Sequence, residues 1–270
     1  TFQTIAFLVD CYDGNILKTN LKKYALFICF FPQLIAGPIV RYGHMMTQFE
    51  DQKNSSINYK NIYVGLIIIA IGLMKKVLIA DNLSVFVDQG FSTGQELTFF
   101  EGWLTSLGFT FQIYFDFSGY VDMATGIALL FNINLPANFN SPYKAVGMIN
   151  FWQKWHITLS NFLTNYIYYP LSRSFTNLTF IKSMFVTMVV FLIAGLWHGP
   201  SWLFVIFGAL HGFGLIANHS FRKLFSFKLN KLFCQFLTFN YVSFTLIFFR
   251  AQDLESAFSI IKAMTNIANF

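Results

Sequence analysis

Charge is what this sequence has least of. Of its 270 residues, 11% are Asp, Glu, Lys or Arg, where a soluble domain carries about 25%. A water-soluble fold of this composition would expose large apolar patches, which sets soluble enzymes and soluble binding modules aside. Cysteine is scarce as well. Cys11, Cys29 and Cys234 are scattered, with no C-x-x-C pair and no metal-type spacing, so a disulfide framework or a metal site is not expected. They read as small buried apolar residues. The chain has no H-E-x-x-H, phosphate-loop, G-x-S-x-G or dinucleotide signature. It also has no internal repeat and no low-complexity tract.

What it has in abundance is apolar and aromatic side chains: 55% hydrophobic, 20% aromatic and 36 Phe, with a mean hydropathy of +0.53. This composition predicts an all-α polytopic membrane protein, a single domain over 1–270 with about seven or eight helical segments. The net charge is +6. In a soluble protein that would suggest nucleic acid. Here the basic residues cluster between apolar runs, at Lys18, Lys22 and Lys23 and again at Arg222, Lys223, Lys228 and Lys231. That pattern suits the positive-inside rule and membrane lipids with anionic headgroups, and no nucleic-acid partner is expected. The chain opens with Thr1 inside an apolar stretch and stops at Phe270 after an amphipathic one. We expect a piece of a longer protein, without further N-terminal helices and the extreme C-terminus.

Residues 24 to 40 form an apolar run broken by Pro32 and Pro38, which predicts a helix followed by a bent or re-entrant segment. Arg41 at its end either edges an interior cavity or snorkels to the interface. Residues 62 to 80 read as a span whose last turns, with Lys75 and Lys76, are interfacial, and 81 to 101 as a surface loop. Residues 103 to 135 carry Gln112, Asp116, Ser118 and Asp122 in an otherwise apolar stretch. A lipid-facing Asp at mid-membrane costs on the order of 2.5–3.5 kcal/mol, so these groups face inward or lie near an interface. They line a substrate path or hold helices together, and the structural role is slightly favoured for each Asp. Residues 132 to 150, rich in Asn and Pro, read as a loop with no nucleophile. Tyr166, Tyr168 and Tyr169 suit an interfacial belt. A final span is expected at about 235 to 249, and an amphipathic surface helix at 252 to 266.

The histidines stand out. His198 and His211 lie in an apolar hairpin: two charge-free runs, 184 to 197 and 202 to 217, the second holding His211, are joined by His198-Gly199-Pro200-Ser201. Gly and Pro there place His198 at a helix–helix junction. A neutral imidazole can take the proton of a hydroxyl that attacks an activated acyl group, typically worth about 10²–10⁴-fold in rate. His211 is too far along the helix to share a face with His198 and reads as a packing or hydrogen-bonding residue. Trp152, Trp155, His156 and Leu159 recur at helical spacing, which puts His156 on an apolar face. In a soluble protein such a His is usually a core residue, whereas in a membrane segment the balance moves toward function.

Several stretches together carry a resemblance: Thr1-Phe-Gln-Thr-Ile, Phe31-Pro-Gln-Leu-Ile-Ala-Gly-Pro-Ile-Val-Arg-Tyr42, Gln112-Ile-Tyr-Phe-Asp-Phe-Ser-Gly-Tyr120, Asn138-Phe-Asn-Ser-Pro-Tyr143, Phe151-Trp-Gln-Lys-Trp-His-Ile-Thr-Leu-Ser160, Leu196-Trp-His-Gly199 and Phe248-Phe-Arg-Ala251. In this order, across nearly the whole chain, they resemble the membrane-bound O-acyltransferases, in the bacterial branch of alginate O-acetylation and teichoic acid D-alanylation, closest to the alginate type. The resemblance implies a ring of transmembrane and re-entrant helices around a tunnel or funnel in a bacterial cytoplasmic (inner) membrane. It makes His198 the catalytic residue and His156 the second important polar one. Asp116, Ser118, Trp155, Trp197 and Arg41 are the candidate substrate contacts. It implies no permanently bound cofactor and no metal, and a thioester donor (acetyl-CoA or an acyl carrier protein). The acceptor would be a polysaccharide or a periplasmic or extracellular acetyltransferase partner. D-alanyl transfer from a carrier protein, and a polysaccharide or lipid transporter, are the alternatives.

Overall fold

The computed structural model describes residues 2–34, 37–92, 96–226 and 229–268. Thr1, Ile35 and Ala36 of the expected re-entrant segment, Thr93, Gly94 and Gln95 of the expected loop, Lys228 of the second basic cluster and Phe270 lie outside the described residues. Among the described residues the fold is helical without strands. The chain begins with α1 (Phe2–Tyr12), α2 (Leu21–Cys29), a 3₁₀ turn at Phe31–Gln33 and α3 (Tyr42–Phe49). Pro32 sits in the first turn of that 3₁₀ segment, so the run from 24 does end in a bend, as its prolines predict.

Next come α4 (Tyr59–Met74), a π-helical stretch Lys75–Ala80 and α5 (Asp81–Gly90), which together form one apolar rod of 32 residues. The surface loop expected from 81 is therefore helix as far as Gly90. Its polar side chains carry the rod on instead of ending it. The rod packs against α6 (Phe99–Leu130), which starts at a reciprocal cap between Thr98 and Glu101. The two axes come close because glycine meets glycine. A β-carbon on Gly65 would lie 2.7 Å from the Gly126 carbonyl oxygen, and one on Gly119 2.7 Å from that of Gly72. Most of the rod's remaining surface is outward-facing aliphatic, including Leu66, Ile67, Ile71 and Leu78, as suits contact with lipid.

After a loop, α7 (Met148–Trp152) and α8 (Ile157–Leu163) lead into a π-helical stretch Thr164–Tyr168 and α9 (Tyr169–Arg173). Pro170 has no N–H to continue a regular ladder, and the widened turn lies just before it. Of the three tyrosines expected in a belt, Tyr169 is exposed and the other two are hydrogen-bonded. Tyr166 donates to Asp10, and Tyr168 bonds Ser183 at 2.7 Å. Three long apolar helices follow: α10 (Phe180–His198), α11 (Trp202–Leu224) and α12 (Lys231–Arg250), each capped by a polar side chain at Thr179, Ser201 and Asn230. With Tyr59–Gly90 they make four helices, among the described residues, long and apolar enough to cross a membrane. Helix α13 (Leu254–Thr265) lays Ala257 and Ile260 against the interior. One core joins Phe151, Trp152, Phe191, Phe207 and Phe248, and a smaller one joins Phe7, Phe27 and Met45 to Ala124 and Ala128 of α6.

Candidate active site

His198 is the last residue of α10, and Ser201 caps α11 two residues after Gly199. The junction is where the glycine predicted it, though Pro200 precedes the cap and so lies outside the first turn of α11. The hairpin is tight: a β-carbon on Gly195 would lie 3.2 Å from the Cα of Gly208. His198 is therefore held among the rings of Trp197, Phe204, Phe207 and Phe249, with centroids 4.9, 6.1, 5.9 and 5.0 Å away. It is half-buried. Among the described residues, neither of its ring nitrogens has a hydrogen-bond partner.

His211 differs in this respect. It is 1% exposed. Its Nδ1 accepts from Trp152 Nε1–H at 3.2 Å. Indole nitrogen only donates, so the neutral ring carries its proton on Nε2 and donates it to Thr245 Oγ1 at 2.9 Å. Thr245 donates onward to the Val242 carbonyl at 2.8 Å. Both nitrogens are occupied, which fits a residue that ties α7, α11 and α12 together.

His156 lies at a break in the helical path. Trp152 ends α7, Ile157 starts α8, and His156 between them has φ 43° in the left-handed region. The single helical face expected for Trp152, Trp155, His156 and Leu159 is thus interrupted. His156, Trp152 and Leu159 are nonetheless buried. A left-handed non-glycine residue is uncommon and strained. Here it is held by Asn138, whose backbone carbonyl accepts from Ile157 N–H at 3.0 Å and whose side-chain oxygen accepts from Thr158 N–H at 3.1 Å. The exposed amides of the α8 N-terminus are thereby satisfied from another segment. The His156 Nδ1 lies 3.1 Å from the same Asn138 oxygen, and its ring meets the edge of Phe117 at 4.9 Å.

His156 and His198 do not touch, but aromatic rings link their surroundings. Phe2 stacks on Trp197 at 4.7 Å and on Phe162 of α8 at 4.2 Å, while Phe207 lies between His198 and His211. Two cavities flank the Asn138–Thr158 pair. One, of about 410 Å³, is lined by Arg41, His44, Thr158, Asn161, Phe162 and Tyr166, among others. The other, of about 380 Å³, is lined by Ile68, Ile71, Asp122, Thr125, Asn138 and Phe139, among others. Pro136 borders both. Neither His156 nor His198 is in these linings.

The other candidate contacts scatter. Arg41 caps α3 and lies over the Tyr166 ring at 5.4 Å, at the mouth of the first cavity. Trp155 stacks on Phe151 and Tyr143, and Trp197 on Phe2. Ser118 is 2% exposed, and its hydroxyl has no partner among the described residues. Asp116 pairs with Lys76 at 2.8 Å, half exposed, and lines neither cavity. Asp122 pairs with Lys75. Both carboxylates of α6 thus pair with lysines of the π-helical stretch, and Asp122 also lines the second cavity. In the π-helical stretch Lys75 and Lys76 reach toward α6. Sequence reasoning passed over Asn138, because nothing in an Asn-rich loop announces that one carboxamide is buried. Its only signal was its place at the head of Asn138-Phe-Asn-Ser-Pro-Tyr143. Among the described residues no group of His, Cys, Asp and Glu is arranged to hold a metal ion.

The sequence profile of the membrane-bound O-acyltransferase family matches residues 8–251. A peptidoglycan O-acetyltransferase of Helicobacter pylori is 46% identical over 99% of this chain and 56% of its own length. A probable alginate O-acetylase of Pseudomonas aeruginosa is 36% identical over 98% of the chain and 50% of its own length. A teichoic acid D-alanyltransferase of Bacillus subtilis is 26% identical over 94% and 68%. The chain spans about half the length of the first two. The helical membrane architecture, the ordered stretches and these matches agree: the chain belongs to the membrane-bound O-acyltransferase family.

Proposed function

We propose that this chain forms the transfer site of a multi-pass acyltransferase in a bacterial cytoplasmic membrane. It passes an acetyl group from a thioester, acetyl-CoA or an acyl carrier protein, to a hydroxyl of a cell-wall glycan, directly or through an acetyltransferase partner. One observation carries the reading. His198 sits at the break between two spans with both ring nitrogens unpartnered among the described residues, whereas His211 nearby is tied at both. The hydroxyl oxygen attacks the thioester carbon as a histidine nitrogen takes the hydroxyl proton. The C–S bond then breaks, and the thiolate leaves and is protonated. The aromatic rings around His198 exclude water, which would otherwise compete as acceptor. The 46% identical relative favours peptidoglycan over alginate as the acceptor class, which shifts the acceptor suggested by the sequence stretches alone.

The test is acyl transfer in membranes carrying the full-length protein, with acetyl-CoA, acetylated carrier and D-alanyl carrier as separate donors. His198→Ala lowers transfer by about 100-fold or more at equal expression. Wild-type transfer by that variant would overturn the assignment, and turnover with the D-alanyl donor alone would replace acetyl by D-alanyl.

A further inference from the structure

We infer that Asn138 is the positioning residue of the transfer site: its carboxamide oxygen fixes the ring of His156 and leaves Nε2 as the nitrogen that faces the reaction. The inference rests on the reading of His156 as part of that site. The hydrogen bonds have only one consistent direction. Thr158 N–H can only donate, so the Asn138 atom it meets at 3.1 Å is the oxygen and not the amide nitrogen. Thr158 Oγ1 accepts from Ile39 N–H at 2.9 Å, which leaves its own proton for the same Asn138 oxygen, 2.9 Å away. The third neighbour of that oxygen, His156 Nδ1 at 3.1 Å, must then be a donor. Nδ1 therefore carries the proton in the neutral ring, and Nε2 keeps its lone pair. Among the described residues Nε2 has no partner.

The geometry leaves little freedom. Asn138 is 1% exposed. Its loop is pinned by Ile157 N–H to the Asn138 carbonyl at 3.0 Å and by Asn140 N–H to the Lys154 carbonyl at 2.9 Å. The left-handed backbone at His156 and the edge of Phe117 hold the ring itself. A base oriented through its second nitrogen is a recurring arrangement in nucleophilic catalysis. The Asn138 Nδ2 is buried and has no partner among the described residues. Asp at this position would therefore lose no bond and would place a carboxylate against Nδ1–H. Titratable and charged groups near this pair include Arg41, His44 and Tyr166 in the cavity beside Thr158, Asp122 (paired with Lys75) in the cavity beside Asn138, Lys154, whose carbonyl anchors the loop, and His198 and His211 beyond.

The experiment uses the full-length protein and reads transfer against pH for Asn138→Asp and Asn138→Leu beside His156→Ala. Positioning predicts that Asn138→Asp remains active, with the acid limb of its pH profile moved up by about one unit or more, since a neighbouring carboxylate favours protonated imidazole. It predicts that Asn138→Leu falls by about 100-fold, with donor KM changed by less than about threefold. A residue that only caps α8 would give Asn138→Asp the wild-type profile, and that result overturns the inference. So does an Asn138→Leu rate near wild type while His156→Ala is inactive. Wild-type transfer by His156→Ala would instead remove the reading of the site on which the inference rests. If Asn138→Leu does not fold, the Asn138→Asp profile decides alone.

Discussion

Replacing Thr245 by Val tests whether His211 serves structure or chemistry. Val keeps the branched shape of Thr and removes the hydroxyl. His211 Nε2–H then loses its acceptor in a place where Thr245 is buried completely and His211 is 1% exposed. The ring cannot escape by moving its proton to Nδ1, because that nitrogen faces the N–H of Trp152 at 3.2 Å. A buried donor left without a partner costs about 1–3 kcal/mol. For a chain of this size that lowers Tm by several degrees, roughly 2–4 °C per kcal/mol. The assay is thermal unfolding of the purified full-length protein in detergent, paired with transfer per folded molecule. The expected outcome is a lower Tm with transfer within about threefold of wild type. An unchanged Tm with a tenfold loss of transfer would refute the argument, because it would put the His211 N–H in the reaction and not in the scaffold.

Two further outcomes follow from the ion pairs and caps. Lys75→Met leaves Asp122 partly buried without its cation and should destabilise more than Lys75→Met combined with Asp122→Asn. A double-mutant cycle on unfolding that showed coupling below about 0.5 kcal/mol would mean the pair is merely solvated. At the start of α13, Ser256 N–H and its hydroxyl both donate to Asp253, at 2.7 and 2.6 Å, and hold that carboxyl below its usual range. A depressed carboxyl stabilises above its unfolded pKa, and the contribution fades as pH falls through the folded one. Protection of the Ser256 and Ala257 amides, taken as exchange relative to the intrinsic rate at each pH, should therefore fall on acidification in the wild type. In Asp253→Ala that protection should be low throughout, and a flat wild-type protection profile would count against the cap.

The sequence by itself determined the class of protein and the chemistry worth looking for. Scarce charge and long apolar runs leave few folds other than membrane helices, because backbone amides in lipid must be bonded internally. Gly199 and Pro200 marked the junction at His198, since both residues disfavour a continuous helix. The ordered stretches carried the family. Tertiary structure alone decided partners, because a partner depends on which face of a distant segment comes near. Two lysines of the π-helical stretch at Lys75–Ala80 met Asp116 and Asp122 of α6. A left-handed residue replaced the helical face drawn through His156. The hydrogen bonds around His211 and His156 cross 59 and 18 residues of chain. They set which nitrogen of each ring carries a proton, and no local pattern of residue types encodes that.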